Sequence, residues 1–353
     1  MAERSFGICT RYLQHEVTHA AIHFAELALN FGIPATLYSA ASIDQNVSAI
    51  WDHKVITSKS KENYVAWIFE ATHILWTTPP EISEVKWANS RGVKTWWFVA
   101  WDELLPRHSE IAREVSRIIS PYDCVTSAIQ KTWGKKVKFA ELAWDTGLPI
   151  TTKQDLVDPP WINVLFPLMD SQAKRSDQRI INIIANILKN NEKVKATVVI
   201  GTNWNLAAKD LLKWLHRTYP ERVTVINASA NLKRCKLYAS NDLTVWSSKY
   251  EGLGTVGVDS LCMGTPVLAW DTSPQNEYLH DGKNAVLVNA PVKDNWLGVP
   301  EIVPSWQNFE DVLSHLLQSE DQLAKIRKSS SFELDKRRID FHKGWNALWD
   351  ELC

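Results

Sequence analysis

No apolar run in the 353-residue chain approaches the length of a bilayer span, so a membrane-crossing helix is not expected. Charge bias is missing as well. With 39 Lys+Arg against 40 Asp+Glu, nothing global calls for a polyanionic partner, and only a local basic strip could do so. The five cysteines, Cys9, Cys124, Cys235, Cys262 and Cys353, show neither CxxC nor Cys/His spacing. That argues against a zinc module and for reduced thiols in a cytoplasm-like compartment. Met-Ala-Glu-Arg-Ser-Phe-Gly leads straight into strand-like residues, so a signal peptide is not expected. There is no short-period repeat and no low-complexity tract. No DxD-type acidic pair stands at a predicted strand end, so no essential divalent metal is expected, and no cofactor is expected either.

What the chain does contain is a long alternation of β-like runs and helical patterns, the signature of parallel α/β architecture. Strands are predicted at Ser5–Cys9, Ala35–Ser39, His73–Trp76, Thr95–Ala100 and Tyr122–Thr126, with helices at Val17–Phe31, Lys61–Glu70, Glu81–Ser90 and Ser109–Ile119. The second half repeats the scheme, with strands at Ile162–Leu168, Ala196–Ile200, Arg222–Ile226, Leu243–Trp246, Val267–Trp270 and Ala285–Val288. Its helices are placed at Ser176–Asn190, Leu206–Thr218, Leu232–Ala239 and Thr255–Met263. The turn-rich stretch from Asp145 to Pro160 reads as a hinge. The expected division is therefore 1–155, 156–330 and a last amphipathic helix within 331–353, carrying Ile339, Phe341, Trp345, Leu348 and Trp349 on one side and expected to pack back on the N-terminal domain. Two doubly wound, Rossmann-like domains of this kind would bind ligand in a cleft between their strand ends. The 18 tryptophans read mainly as core and domain-interface bulk, with a minority lining that cleft.

The richest chemistry lies between Ser247 and Asp271. A β run feeds a loop, Glu251-Gly-Leu-Gly-Thr255, then a short helix and a second β run. Glycines let backbone N–H groups approach a ligand, and the helix aims its positive end at the same spot, which suits a phosphate. Glu251 and Asp259 flank the loop and can accept hydrogen bonds from sugar hydroxyls. Gly252 to Gly257 also satisfies GxGxxG, with Asp271 where a dinucleotide fold places its ribose acid. Against a nicotinamide enzyme stand the long spacer from Ser247 to Glu251, the late position in the chain and a carboxylate beside a pyrophosphate. A purely structural turn is the remaining alternative.

Further sub-motifs in order support the sugar-nucleotide reading. Leu237-Tyr-Ala-Ser-Asn-Asp-Leu, Ser248-Lys-Tyr-Glu-Gly-Leu-Gly, Gly264-Thr-Pro-Val-Leu-Ala and Glu277-Tyr-Leu-His-Asp-Gly-Lys-Asn-Ala-Val-Leu-Val resemble the donor-binding half of retaining GT-B-fold glycosyltransferases, the family 4 group in particular. The resemblance implies an enzyme using a nucleotide-diphosphate sugar, with UDP favoured, and transferring the sugar to a hydroxyl with retention and without a metal. It implies Glu251 as the sugar-binding acid, Gly252, Leu253, Gly254 and Thr255 as the phosphate cradle, and Asp259 at the ribose, where the family carries Glu. Asn227 and Ala228 are further donor-side candidates. Lys174 and Arg175 stand near the family's basic pair, which would neutralise the leaving diphosphate. Thr272-Ser-Pro-Gln-Asn276 replaces the usual glycine pair near the donor sugar, so donor identity does not transfer. For Asp259 the alternative is a first-turn helix acid, and for Lys174 and Arg175 a solvated helix start.

In the first half, the loop Thr10-Arg-Tyr-Leu-Gln-His-Glu-Val-Thr-His19 lacks the glycine that relatives carry there. Leu13, His15 and His19 become acceptor-side candidates, with a polar helix start as the alternative. Trp101-Asp102 closes a predicted strand and resembles the family's His-Asp with the His lost. Phage DNA α-glucosyltransferases carry a His-Asp-His at the comparable place. Asp102 could take or orient an acceptor hydroxyl proton, or simply cap a loop. Lys131-Thr-Trp-Gly-Lys-Lys-Val-Lys138 interleaves lysines with an aromatic and suits a phosphate backbone or plain solvated surface. It keeps DNA with hydroxymethylated bases open as the acceptor, in a host cytoplasm if the gene is phage-borne. A sugar-nucleotide-binding protein without catalysis also stays open.

Overall fold

The structure, a computed structural model, describes residues 5–10, 16–39, 55–57, 61–134, 139–141, 145–151, 160–168, 177–201, 206–228, 234–330 and 332–350. The chain divides into two compact units, Met1–Gly147 with Ile339–Cys353, and Leu148–Arg338. Among the described residues no helix is long and apolar enough to cross a membrane.

The first unit is built on a parallel sheet of β1 (Phe6–Thr10), β2 (Ala35–Ser39), β3 (Val55–Thr57), β4 (His73–Trp76), β5 (Lys94–Phe98), β6 (Arg117–Ser120) and β7 (Phe139–Glu141). The spatial order is β3-β2-β1-β4-β5-β6-β7, so the winding reverses between β1 and β4. Right-handed crossovers on either side of such a reversal put helices on both faces, which is double winding. β1 and β4 are buried along their whole length, as strands covered on both faces must be. A side chain at Gly7 would bring its Cβ within 2.7 Å of the Trp67 ring, so the helix Lys61–Glu70 leans directly on the β1 backbone.

Two sequence expectations fail here. The helix beginning at Ser109 ends at Glu114, and Ile118 and Ile119, expected to continue it, lie in β6 between β5 and β7. Tyr122–Thr126, expected as a strand, opens the helix Asp123–Trp133, whose buried residues Val125, Ala128, Ile129 and Trp133 recur at helical spacing. A five-residue run such as Tyr122–Thr126 is too short to separate period 2 from period 3.6, and the β-branched pair at 118–119 suits a strand better than a helix.

The part of the helix Phe332–Asp350 from Ile339 onward belongs to this unit. Trp345 stacks on Phe24 (5.1 Å, 28°) and meets Phe6 edge-on (6.2 Å, 72°), while Phe341 stacks on His23 (5.2 Å). Ile339 is 53% exposed, against expectation. It stands two residues before Phe341, which at about 100° per residue turns it roughly 200° off the packed face.

The second unit repeats the plan. β8 (Ile162–Leu168), β9 (Val194–Ile200), β10 (Val223–Asn227), β11 (Leu243–Trp246), β12 (Val267–Trp270) and β13 (Ala285–Val288) form a parallel sheet in the order β10-β9-β8-β11-β12-β13. The reversal falls between β8 and β11. Ile180, Ile183, Ile184 and Ile187 of the helix Asp177–Asn190 pack with Val164, Phe166 and Val198 into one core. A hairpin missed in the sequence, β14 (Val292–Asp294) with β15 (Pro300–Ile302), pairs antiparallel and donates Ile302 N–H to Lys249 O (3.0 Å).

An ion pair is buried in this unit. Arg327 Nη1, from the helix Glu320–Ser329, donates to Asp242 Oδ1 at 2.7 Å, with both side chains excluded from solvent. Asp242 Oδ2 accepts from Asn163 N (2.8 Å) and more weakly from Asn163 Nδ2 (3.3 Å). The acid of the Leu237–Leu243 motif therefore ties β8, β11 and this helix together.

Candidate functional site

In a doubly wound sheet, ligands bind outside the carboxyl ends of the strands at the reversal point. In the second unit that end of β11 carries the segment 247–254 and then the helix Thr255–Cys262. The loop is longer than the turn that follows the strand in a dinucleotide fold. It is held by Ser248 Oγ donating to Tyr250 O (2.9 Å), by Trp270 Nε1 donating to Ser247 O (3.1 Å) and by the hairpin contact at Lys249.

Gly254 caps the helix in the left-handed region, at φ 69° and ψ 31°, and no side chain caps it. Gly257 and Val258 return their N–H groups to Gly254 O (3.0 and 3.2 Å). The start of the helix thus keeps the anion-binding character of an uncapped N-terminus. The glycines serve a second purpose that the sequence did not reveal. A Cβ on Gly254 would run into the Tyr278 hydroxyl and come within 3.1 Å of Trp246, and one on Gly257 would lie 2.8 Å from Trp246. Tyr278 Oη donates to Gly254 O at 3.2 Å, fastening the cap, and the Arg337 guanidinium lies 5.0 Å over the Tyr278 ring.

Both acids are buried, Glu251 and Asp259 each with 1% exposure. Glu251 Oε1 accepts from Trp246 Nε1 (3.1 Å), so the last residue of β11 orients the acid of the loop. Arg234 Nη1 donates to both oxygens of Asp259, at 2.9 and 3.2 Å. Asp259 stands outside the first turn of its helix, so offsetting the helix dipole does not account for it. Trp246 and Arg234 were not singled out in the sequence. Indoles closing both β11 and β12 were the available signal for Trp246, and nothing local marks Arg234.

The segment after β12 runs through a cis Ser273–Pro274 peptide into the 3-10 turn Gln275–Glu277. Asn276 Nδ2 donates to Asp271 Oδ1 (3.0 Å), and Gln275 O accepts from Tyr278 N (3.2 Å) and Leu279 N (2.9 Å). Asn284 then closes the next turn by donating to Tyr278 O (2.9 Å) and accepting from His280 N (2.6 Å), so this motif asparagine is structural.

Other candidates fall elsewhere. Asn227 ends β10 at the edge of the sheet, with β9 and β8 between it and β11, and Ala228 N–H is engaged by Ile200 O (2.7 Å). In the first unit, Asp102 is half-buried in the 3-10 turn Trp101–Glu103 after β5, with Trp101 buried. A cavity of about 630 Å³ opens between the segments that follow β4 and β5, lined by Thr78, Glu81, Glu103, Arg107, His108 and Glu110 among others. Trp133 of the basic strip is buried and stacks on Trp97 (6.4 Å, 17°), so it presents no face to a nucleic-acid base. Leu13, His15, Lys135, Lys136, Lys138, Lys174 and Arg175 lie outside the described residues, as does the His19 side chain.

Residues 178–329 match the family described as Glycosyl transferases group 1, a span that holds the loop, both acids and the turn at Gln275. No curated protein matches the chain in sequence. Among solved structures, the chain is similar to HepE of Anabaena in complex with UDP-glucose, at 14% identity over 98% of this chain and 99% of that one, with a TM-score of 0.75. It is also similar to the pneumococcal O-GlcNAc transferase GtfA in complex with UDP and GlcNAc, at 9% identity over 99% of each chain, with a TM-score of 0.76. A glycosyltransferase from Rickettsia africae aligns at 11% identity over 100% of this chain and 99% of that one, with a TM-score of 0.73. The fold, two parallel-sheet Rossmann-like domains, is that of GT-B glycosyltransferases.

Proposed function

We propose that the chain is a retaining glycosyltransferase that moves a sugar from a nucleotide-diphosphate donor, with UDP favoured, to a hydroxyl acceptor. The observation that carries this is the uncapped helix start at Gly254–Thr255, flanked by two buried acids, inside the span that matches the glycosyl transferase family. UDP in the HepE and GtfA structures supports the choice of nucleotide.

In this reading the backbone N–H groups of residues 252–255 take the diphosphate. Asp259, its carboxylate held by Arg234, takes the ribose, and Glu251, held by Trp246, takes hydroxyls of the transferred sugar. The bond from the anomeric carbon to the diphosphate oxygen breaks, and the acceptor oxygen bonds to the same face. The acceptor proton leaves on that side toward the departing phosphate, with Asp102 orienting the acceptor. The developing charge on the diphosphate is met by the helix start, with Lys174 and Arg175 assigned to the same task. No protein nucleophile is assigned. The cavity between the segments after β4 and β5 carries Glu81, Glu103 and Glu110 against one arginine, Arg107, which suits a neutral polyhydroxyl acceptor better than a phosphate backbone.

Titration with UDP, UDP-sugars and NAD tests the donor, and the anomeric configuration of the product tests retention. Binding of NAD in place of any sugar nucleotide overturns the reading. Turnover is expected to survive EDTA, and its loss on chelation with recovery on added Mn²⁺ would overturn metal independence. Transfer to hydroxymethylated DNA in preference to glycan or small-molecule hydroxyls would overturn the neutral acceptor.

A further inference from the structure

Gln275 is completely excluded from solvent, yet among the described residues neither its amide nitrogen nor its amide oxygen has a hydrogen-bond partner. Buried polar groups are nearly always paired, so each exception needs an explanation. Two more unpartnered buried atoms, Ser247 Oγ and Thr255 Oγ1, lie on the neighbouring segment after β11. The two segments meet: β11 and β12 are adjacent parallel strands, and the turn that carries Gln275 delivers Tyr278 onto Gly254.

Resting on the nucleotide-sugar reading above, we propose that Gln275 is a specificity-determining residue that hydrogen-bonds the donor's sugar, and that this sugar is a neutral, hydroxyl-bearing hexose. A carboxamide offers a donor and an acceptor side by side, which complements groups that also do both, such as neighbouring hydroxyls. A sugar carboxylate only accepts, and would be brought toward the buried carboxylate of Glu251. Internal structure does not need the amide, since nothing in the described protein bonds to it. An apolar side chain of similar size therefore removes sugar recognition without removing a structural bond. That separates the proposal from an amide retained for packing.

The experiment is calorimetric titration of the wild type, Gln275→Leu and Gln275→Met, with thermal melts in the absence of ligand. UDP, GDP and ADP first select the nucleotide. Its glucose, N-acetylglucosamine and glucuronate conjugates then report the sugar. In the wild type, at least one neutral conjugate is expected to bind about tenfold more tightly than the bare nucleotide, and the glucuronate no more tightly than the nucleotide. In the variants the bare nucleotide should keep its Kd within about twofold while the sugar-dependent gain disappears, and the unliganded Tm should not fall. Gln275→Met, whose unbranched side chain resembles glutamine, decides the matter if Gln275→Leu does not fold. The proposal is overturned if the variants keep the gain, if both melt well below the wild type, or if the glucuronate binds best. Absence of binding by any nucleotide removes the glycosyltransferase reading itself. Nucleotide binding with no gain from a sugar removes only the role of Gln275.

Discussion

At the scale of single residues, the site depends on contacts that fix two glycines and two acids. Gly254→Ala must hold an alanine at φ 69° and push it against the Tyr278 hydroxyl and Trp246. The left-handed conformation alone costs about 1–2 kcal/mol, and the overlap adds to it. The expected outcome is a lower midpoint in urea unfolding together with loss of nucleotide binding, and a variant with wild-type Kd would show the cap to be dispensable. Trp246→Phe keeps an aromatic side chain, though a smaller one, and removes the N–H bonded to Glu251. A buried acceptor left one bond short costs about 1–3 kcal/mol. If Glu251 reads the sugar, kcat/KM for transfer should fall more than the Kd of the bare nucleotide changes. Equal changes in both would mean that Trp246 acts only on stability. The acids and glycines could be found in the sequence because they sit within a few positions of one another. Their partners could not, because the direction of an indole or guanidinium follows from packing.

At the scale of elements, most strands and helices were readable, since parallel strands buried on both faces and amphipathic helices carry their own periodicity. The failures fall where an element is short, and after residue 303, where the helices Trp306–Gln318 and Glu320–Ser329 were not expected. β3 and β7 have three residues each, and the run from Ser109 to Thr126 was divided at the wrong places. Nor does periodicity show what anchors the helix Glu320–Ser329 to the sheet. Arg327 reaches Asp242 across 85 positions of sequence. Arg327→Met removes the guanidinium bonded to the buried Asp242 carboxylate, and breaking such a pair costs about 3–5 kcal/mol. The double variant Asp242→Asn/Arg327→Met should recover part of that loss in urea unfolding. A single variant as stable as the wild type would show the pair to contribute nothing.

At the scale of the whole molecule, each unit has its own parallel sheet and its own reversal of winding, and the last helix supplies aromatic cover to the first unit. Trp345→Ala removes the ring packed on Phe24 and Phe6. Its expected cost is about 3–5 kcal/mol in stability. Nucleotide affinity, measured below the unfolding transition, should stay within about twofold, because the glycine loop belongs to the other unit. A large loss of nucleotide affinity in a folded Trp345→Ala protein would mean that the donor site extends beyond residues 148–338.

Taken alone, the sequence determined the α/β class, the repeated winding and the place of a glycine loop with an acid on either side. Periodicity and turn chemistry act over a few neighbouring residues, and those features are local. The tertiary structure decided that Trp133 belongs to the core, that Arg234 holds Asp259 across 25 positions and that Gln275 is buried with no hydrogen-bond partner among the described residues. Each of these depends on which surfaces meet when distant segments pack, and burial and pairing of that kind are properties of the assembled chain.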